Sequence, residues 1–318
     1  MRLVVLGGAL LLARAAWTAE PGERPHDAPY ELVGGSGEIT YTSDSESFRS
    51  ARARAGMVLR HESPYDFATV AVEGTLYKQG EWEAKRYSLV GAIKDVERST
   101  GAGLNALAGL SMVDGNARLV GDASWNKRLS QSSGVELIAQ RDFVETRAGL
   151  DSAITTSFVA AGFDYAPTDR LTLIGLGGVQ YYSDENWRSH LRARVVYLLL
   201  PEHGLSVQMR ANAYHSSESG PRAYFNPDTY ERADLGLRLR RSLGDWRVLM
   251  AAGYGRENID HDVENPTSYV DARLERTLTN KVSLMLSFVY TRSSASDNAN
   301  AGTVYAWRYF RTAVLFPL

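Results

Sequence analysis

The sequence predicts an all-β chain that closes into a transmembrane antiparallel up-and-down β-barrel of about sixteen strands. Three observations predict it. Apolar and polar residues alternate in strand-length runs from near Glu31 to the C-terminus. Every second connection is a tight turn, while several of those between are long and polar. No segment approaches ~20 uninterrupted apolar residues, so the greasy surface is spread over alternate strand positions and no mature transmembrane helix is expected.

The alternation is clearest from Arg170 to Gly255. Leu191, Ala193, Val195, Tyr197 and Leu199 fall on one face of a strand, and His190, Arg192 and Arg194 on the other. The next strand sets Leu205, Val207, Met209, Ala211 and Ala213 against Ser206, Gln208, Arg210 and Asn212. Then Ala233, Leu235, Leu237 and Leu239 alternate with Asp234, Arg238 and Arg240. A water-soluble sandwich would bury the greasy faces; a membrane barrel turns them to lipid and the charged faces to a wet lumen. The sandwich remains the soluble alternative and predicts a protein extracted without detergent.

In chain order, Arg2, the apolar run Leu3–Leu12 and the small residues after it read as a secretory signal peptide over residues 1–19, with Ala13-Arg14-Ala15 or Ala19 as the cleavage signal. Residues 20–30 form a short polar leader, and 31–318 are the barrel. Strands are expected near 31–43, 48–61, 66–78, 82–96, 101–113, 116–129, 133–143, 153–165, 170–182, 187–200, 203–215, 229–242, 245–257, 267–278, 281–292 and 302–316. The even count suits a bacterial single-chain barrel.

The short connections are Ser63-Pro64-Tyr65, Ser99-Thr100, Leu129–Ser133, Pro167-Thr168-Asp169, Pro201-Glu202-His203, Gly244-Asp245 and Thr279-Asn280. Those between them include the long Val144–Ser152, Ser216–Asp228, Asn258–Pro266 and Ser293–Ala301, although Asp114-Gly115-Asn116 is short. Tight periplasmic turns and longer outer loops are the barrel pattern, and a sandwich has no reason to sort loops by parity. Glu145–Ile154 reads either as a short helix folded into the lumen or as an ordinary loop. Trp82, Tyr87, Trp125, Tyr165, Tyr181, Tyr182, Trp187, Trp246, Tyr254, Tyr269, Tyr290, Tyr305, Trp307 and Tyr309 sit mostly near strand ends, where interfacial girdles would place them. In the last strand Phe310, Val314, Phe316 and Leu318 alternate as in an assembly signature, with Leu in place of the usual terminal aromatic.

With 35 basic and 37 acidic residues the chain is no generally basic nucleic-acid binder. Mean hydropathy is slightly negative, as only every second strand residue meets lipid. The absence of cysteine excludes a lipoprotein anchor, a thiolate metal site, a disulfide framework and a cysteine nucleophile. No cofactor or metal is expected. The polar strand faces carry many arginines and few lysines. Arg52, Arg54 and Arg60 come from the second strand; Arg86, Arg118, Arg192, Arg194, Arg210, Arg238, Arg240 and Arg273 come later. Glu73, Asp122, Glu136, Asp142, Asp234, Asp271 and Glu275 share those faces. Two uses are open: cross-strand ion pairs that brace the wall, or an arginine path for anionic or hydroxyl-rich solutes. Arg192, Arg194, Arg210, Arg238 and Arg240, with few acids opposite, are the best candidates for the path, with Arg52 and Arg54 beside them.

Two segments carry a resemblance: Tyr181-Tyr182-Ser183-Asp184-Glu185-Asn186-Trp187-Arg188 and Tyr224-Phe225-Asn226-Pro227-Asp228-Thr229-Tyr230. With Glu145–Ile154, they resemble loops in the C-terminal barrels of exopolysaccharide export porins, those for poly-N-acetylglucosamine and bacterial cellulose. The likeness is clearest over residues 141–258. It implies an outer-membrane barrel passing a polysaccharide outward, with Tyr182, Asp184, Asn186, Arg188, Tyr224, Phe225, Pro227 and Tyr230 as its loop-motif residues. That family carries tetratricopeptide repeats before the barrel and this sequence shows none. The resemblance therefore implies a separate periplasmic repeat protein as partner, beside the barrel assembly machinery and the lipid of a Gram-negative outer membrane. A general or solute-selective porin is the alternative.

Enzymatic readings are thin. Tyr214-His215-Ser216-Ser217 offers a histidine and serine at near spacing, but no Asn-Gly follows the serine. Asp260-His261-Asp262 invites comparison with omptin proteases but lacks an acidic partner pair in an earlier loop. The expectation is a transport barrel and not an enzyme.

Overall fold

A computed structural model of the protein describes residues 33–97, 99–261, 264–278, 282–293 and 305–317. The expected signal peptide and leader, most of the Ser293–Ala301 loop, and Leu318 lie outside the described residues.

Sixteen antiparallel strands close into one barrel. They are β1 (Gly34–Asp44), β2 (Phe48–Ser63), β3 (Asp66–Gln79), β4 (Trp82–Val96), β5 (Gly103–Val113), β6 (Asn116–Arg128), β7 (Ser133–Phe143), β8 (Thr155–Tyr165), β9 (Leu171–Tyr182), β10 (Trp187–Leu200), β11 (Leu205–Ser216), β12 (Thr229–Leu243), β13 (Trp246–Ile259), β14 (Asn265–Thr277), β15 (Ser283–Ser293) and β16 (Tyr305–Pro317). Each strand pairs with the next, and β16 closes on β1 in register from Gly34↔Pro317 to Asp44↔Trp307. Closure removes the open edges that lipid could not satisfy. A single helical turn, α1 (Arg147–Asp151), lies between β7 and β8.

The alternation sorts as a membrane barrel requires. Leu191 and Leu235 are 64% and 62% exposed on the outer wall, whereas Gln208 and Asp234 between such positions are 1% and 2% exposed inside. The greasy belt has no protein partner; lipid is the solvent that makes an outward leucine favourable. Expected and observed strands agree to within a few residues. One connection differs: Asn258–Pro266 was expected as a long loop, but β13 runs on to Ile259 and β14 begins at Asn265. Asp260 Oδ1 accepts a 2.9 Å hydrogen bond from the Thr229 backbone N–H, which ties this shorter connection to the start of β12.

The aromatics split into two sets. Tyr87, Trp125, Tyr165, Tyr181, Trp187 and Tyr254 are exposed on the outer surface, as a girdle reading requires. Tyr182, Tyr269 and Tyr305 are buried inside the wall. Trp307 and Tyr309 lie opposite the inward Asp44 and Thr42 of β1 and so face the lumen. Trp82 turns inward too, packing on Phe48 and donating its indole N–H to Asp151 Oδ1 at 2.9 Å. Being near a strand end does not decide which face a ring takes; its parity with the charged residues does.

Candidate functional site: the lumen and its two mouths

The odd-numbered connections (β1–β2, β3–β4 and onward) share one end of the barrel, and two of them fold inward there. Between β7 and β8, Thr146 caps α1 by accepting from the Gly149 N–H at 2.9 Å. This lets the segment turn back on itself, so that Leu150 packs in a cluster with Phe48, Tyr77 and Val113 of the facing wall. Glu145 then reaches Arg52 at 2.9 Å and accepts from the Tyr77 hydroxyl at 2.9 Å. The loop after β11 folds in to meet it: the Thr146 hydroxyl donates 2.5 Å to the Ala223 carbonyl. Together the two segments bridge the mouth from β2–β4 to β11–β12.

The loop-motif residues hold this bridge. Tyr224 stacks on Tyr182 with ring centroids 4.0 Å apart and planes 8° from parallel. Arg188 lies 5.0 Å from the Tyr182 ring centre and 5.3 Å from that of Tyr224. Its guanidinium donates to Ser216 Oγ at 3.1 Å, to Asn226 Oδ1 at 3.1 Å and to the Phe225 carbonyl. Asn186 donates to Asn226 Oδ1 at 2.7 Å and to the Tyr224 hydroxyl at 3.1 Å. The Tyr224 hydroxyl donates to Asp184 at 2.9 Å, and burial pushes its pKa up, so it stays a neutral donor. Asp184 also pairs with Arg222 at 3.0 Å. Tyr230 donates to Glu257 at 2.9 Å and packs edge-on against Phe225. Pro227 lies in the same loop, two residues before β12 begins. These residues cross-link the turn after β9 to the loop after β11; none is arranged around a reacting atom.

The other mouth is narrowed from the β2–β3 turn. Arg247 of β13 donates to the Tyr65 hydroxyl, and Lys94 lies 4.9 Å from the centre of the same ring. Lys94 also donates to the Pro64 carbonyl at 3.0 Å.

Between the mouths the wall has two characters. On β1–β4 and β16 the arginines are neutralised. Arg54 pairs with Glu73 at 2.6 Å, Arg52 with Glu73 at 3.5 Å, Arg311 with Glu38 at 2.6 Å, and Arg86 with Asp142 at 2.7 Å. Arg52 and Arg54, which the sequence places with the path, are held in ion pairs on this arc, and register sets Arg54 directly across from Glu73. On β10–β12 the inward face carries Arg188, Arg192, Arg194, Arg210, Arg232, Arg238 and Arg240 but one carboxylate, Asp234. Asp234 is taken up by Arg232 at 2.8 Å and, at 3.7 Å, by Arg210. Arg192 lies 5.5 Å from the Phe158 ring centre. Register sets Arg194 directly across from Arg210.

One feature of this wall escapes sequence reading. Gln208, Gly236, Gly253 and Tyr269 stand in one cross-strand row on β11 to β14. The Tyr269 ring lies across both glycines, where a Cβ on either would run into it. It thereby spans two strands, and its hydroxyl accepts from Gln208 Nε2 at 2.8 Å. Arg210 then rests 3.4 Å from the centre of the ring. The glycine parity could be read from the sequence, but their meeting in one row depends on register.

The hydrolytic candidates are not assembled. His215 lies 3.5 Å from Asp228 on the outer side. Ser216 Oγ accepts from Arg188, and Ser217 Oγ donates to Asn186 Oδ1 at 3.0 Å. Asp262 lies outside the described residues.

A closed sixteen-stranded antiparallel barrel, apolar outside, charged within and looped at one end, is an outer-membrane β-barrel by fold. No protein-family model matches the sequence, and no curated protein matches it. Among solved structures the chain is similar to a bacterial polysaccharide outer membrane secretin, with TM-score 0.65 at 10% identity, covering 90% of this chain and 99% of that one. It is also similar to OccK7 (OpdD) of Pseudomonas aeruginosa, with TM-score 0.45 at 10% identity, over 90% of this chain and 99% of that one. OprD of Pseudomonas aeruginosa gives TM-score 0.44 at 9% identity, over 92% and 96%.

Proposed function

We propose that the protein is a passive outer-membrane conduit for an exported polysaccharide, of the exopolysaccharide export porin type, and that it does no covalent chemistry. The observation that carries this reading is the pairing of flat rings with guanidinium planes inside the barrel. Trp307 and Tyr309 stack 5.6 Å apart on the inward face of β16, and Arg210 of β11 lies on Tyr269 of β14. Sugar rings stack on such faces, and their hydroxyls accept from guanidinium N–H groups. A row of weak, similar contacts lets a chain advance without being trapped at one site. Arg192, Arg194, Arg210, Arg238 and Arg240 form the arginine side of the path, and the bridge of Tyr182, Asp184, Asn186, Arg188 and Tyr224 closes the outer mouth at rest. The likeness in fold to a polysaccharide secretin supports the same reading. Its partners are then the lipid bilayer, the barrel assembly machinery, and a periplasmic repeat protein that delivers the polymer.

The test is single-channel current through the refolded mature chain in planar bilayers, with oligosaccharides of increasing length on the periplasmic side. Transient blocks that lengthen with chain length support the conduit. Stable pores that long oligosaccharides never block would overturn it in favour of a solute porin.

A further inference from the structure

We propose that Arg194, Arg210 and Arg238 form a carboxylate-binding site in the lumen, and that the polymer carried is acidic, bearing carboxylates on its sugar units. This rests on the conduit reading and narrows it to a substrate class.

The first ground is a contrast within one barrel. On β2 and β3 the chain places a carboxylate directly opposite an arginine and closes the pair, Arg54 on Glu73 at 2.6 Å. On β10 and β11 it places Arg194 directly opposite Arg210. Like charges across a strand pair are unfavourable, and balance has to come from elsewhere. Asp234, directly across from Arg210 and 3.7 Å from its guanidinium, supplies part of it but is shared with Arg232. Asp271 of β14 has Arg194, Arg210, Arg238 and Arg273 in electrostatic range, and it forms an ion pair with none of them. Arg273 is matched by Glu275 at 2.5 Å and Arg210 lies 3.7 Å from Asp234, so Asp271 is left between Arg194 and Arg238, one carboxylate for two guanidiniums.

The second ground is that the guanidiniums are held ready. Arg210 lies flat on Tyr269, the Tyr269 hydroxyl is fixed by Gln208, and the Gln208 carbonyl oxygen accepts from Arg194. Two forks are thus oriented by one linked chain of contacts, which reduces what a ligand must order on binding. The third ground is Arg238. It is 4% exposed, and its Nε and Nη2 meet no acceptor of the protein. A planar fork with two free donors matches a carboxylate in bidentate geometry. A neutral, hydroxyl-rich chain would be served by the rings and amides already present and would not call for unmatched charge. Asp271 keeps the site from holding an anion too firmly, as a path must.

The test is equilibrium binding to the refolded barrel in detergent, using fluorescent hexagalacturonate and maltohexaose as probes, with unlabelled galacturonate and inorganic phosphate as competitors. Native folding of every variant is checked by heat-modifiable migration. Wild type should bind the hexauronate at least tenfold more tightly than maltohexaose. Arg194→Gln and Arg238→Lys, singly, should each cut that preference several-fold, the second because it keeps charge but loses the fork. Arg194→Ala with Arg238→Ala should abolish it. Equal binding of the two hexamers by wild type, or a folded double variant that keeps the preference, overturns the site. Competition by galacturonate or phosphate as strong, per charge, as by the hexamer overturns the polymer assignment and leaves a small-anion site. Block of single-channel current separates the parent reading: hexauronate bound without any block defeats the conduit alone, whereas equal block by both hexamers keeps the conduit and defeats the acidic substrate.

Discussion

Replacing Tyr224 with alanine should release the outer mouth. The ring is buried, stacks on Tyr182 at 4.0 Å, lies beside Arg188, and its hydroxyl bonds Asp184 at 2.9 Å. A stacked pair contributes ~0.5–1.5 kcal/mol, and a hydrogen bond to a charged group ~1.5–3 kcal/mol. Truncating a buried aromatic to alanine costs ~3–5 kcal/mol when packing is included. Taking the lower end, because this ring sits at a mouth and not in a core, the folded-in state of the loop weakens by ~3 kcal/mol, roughly a hundredfold in the closed-to-open ratio. Limited trypsin digestion of barrels in lipid vesicles reads this directly. The Arg222–Ala223 bond is held in wild type by Arg222 to Asp184 and by Thr146 on the Ala223 carbonyl. Peptide mapping should show that bond cut far faster in Tyr224→Ala, with a matching rise in single-channel conductance. Tyr224→Phe keeps the stack and should show a smaller rise. A Tyr224→Ala barrel with wild-type cleavage and wild-type conductance would show that the loop is held by something other than these contacts.

Three further outcomes are expected. Gly253→Val should push the Tyr269 ring off its bed and lower stability by ~1–3 kcal/mol, read as a fall in the urea midpoint of the refolded barrel; an unchanged midpoint would mean the close approach carries no strain. Glu145→Ala uncovers Arg52 and should shift the zero-current potential in a KCl gradient toward anion preference, with no shift counting against Arg52 facing the ion path. Leu237→Arg, on the lipid face near the middle of β12, should cost ~2–4 kcal/mol of stability in bilayers. Tolerance of that arginine would place Leu237 off the lipid surface.

Much of the fold was legible because a strand repeats every two residues, and that signal survives without knowing any neighbour. The strands over 187–200 and 229–243 could be read this way from Leu191, Arg192, Ala193 and Arg194, and from Leu235, Leu237 and Arg238. What failed depends on register or on contacts far apart in sequence. That Arg54 faces Glu73 while Arg194 faces Arg210 is a fact of alignment between strands, so arginines set against a carboxylate could not be separated beforehand from those set against another arginine. The bed under Tyr269 needs β12, β13 and β14 in register at once. The meeting of Thr146 with Ala223 joins two loops that share no periodic signal. The inward turn of Trp307 and Tyr309 was readable, since both share parity with Arg311, and proximity to a strand end obscured it.

The division of the lumen into an arc of matched charge and an arc with arginines in excess bears on how charge can cross it. A polyanion moving out along β10–β12 would carry negative charge with it and, alone, would polarise the membrane against its own progress. The opposite arc, from β16 through β4, presents carboxylates already matched by arginines and stays near neutral. Water and small cations moving with the chain would pass there. Co-flow in the same pore would then keep transport electroneutral without a second protein, and export would respond to the valence and size of the accompanying cation as well as to the polymer.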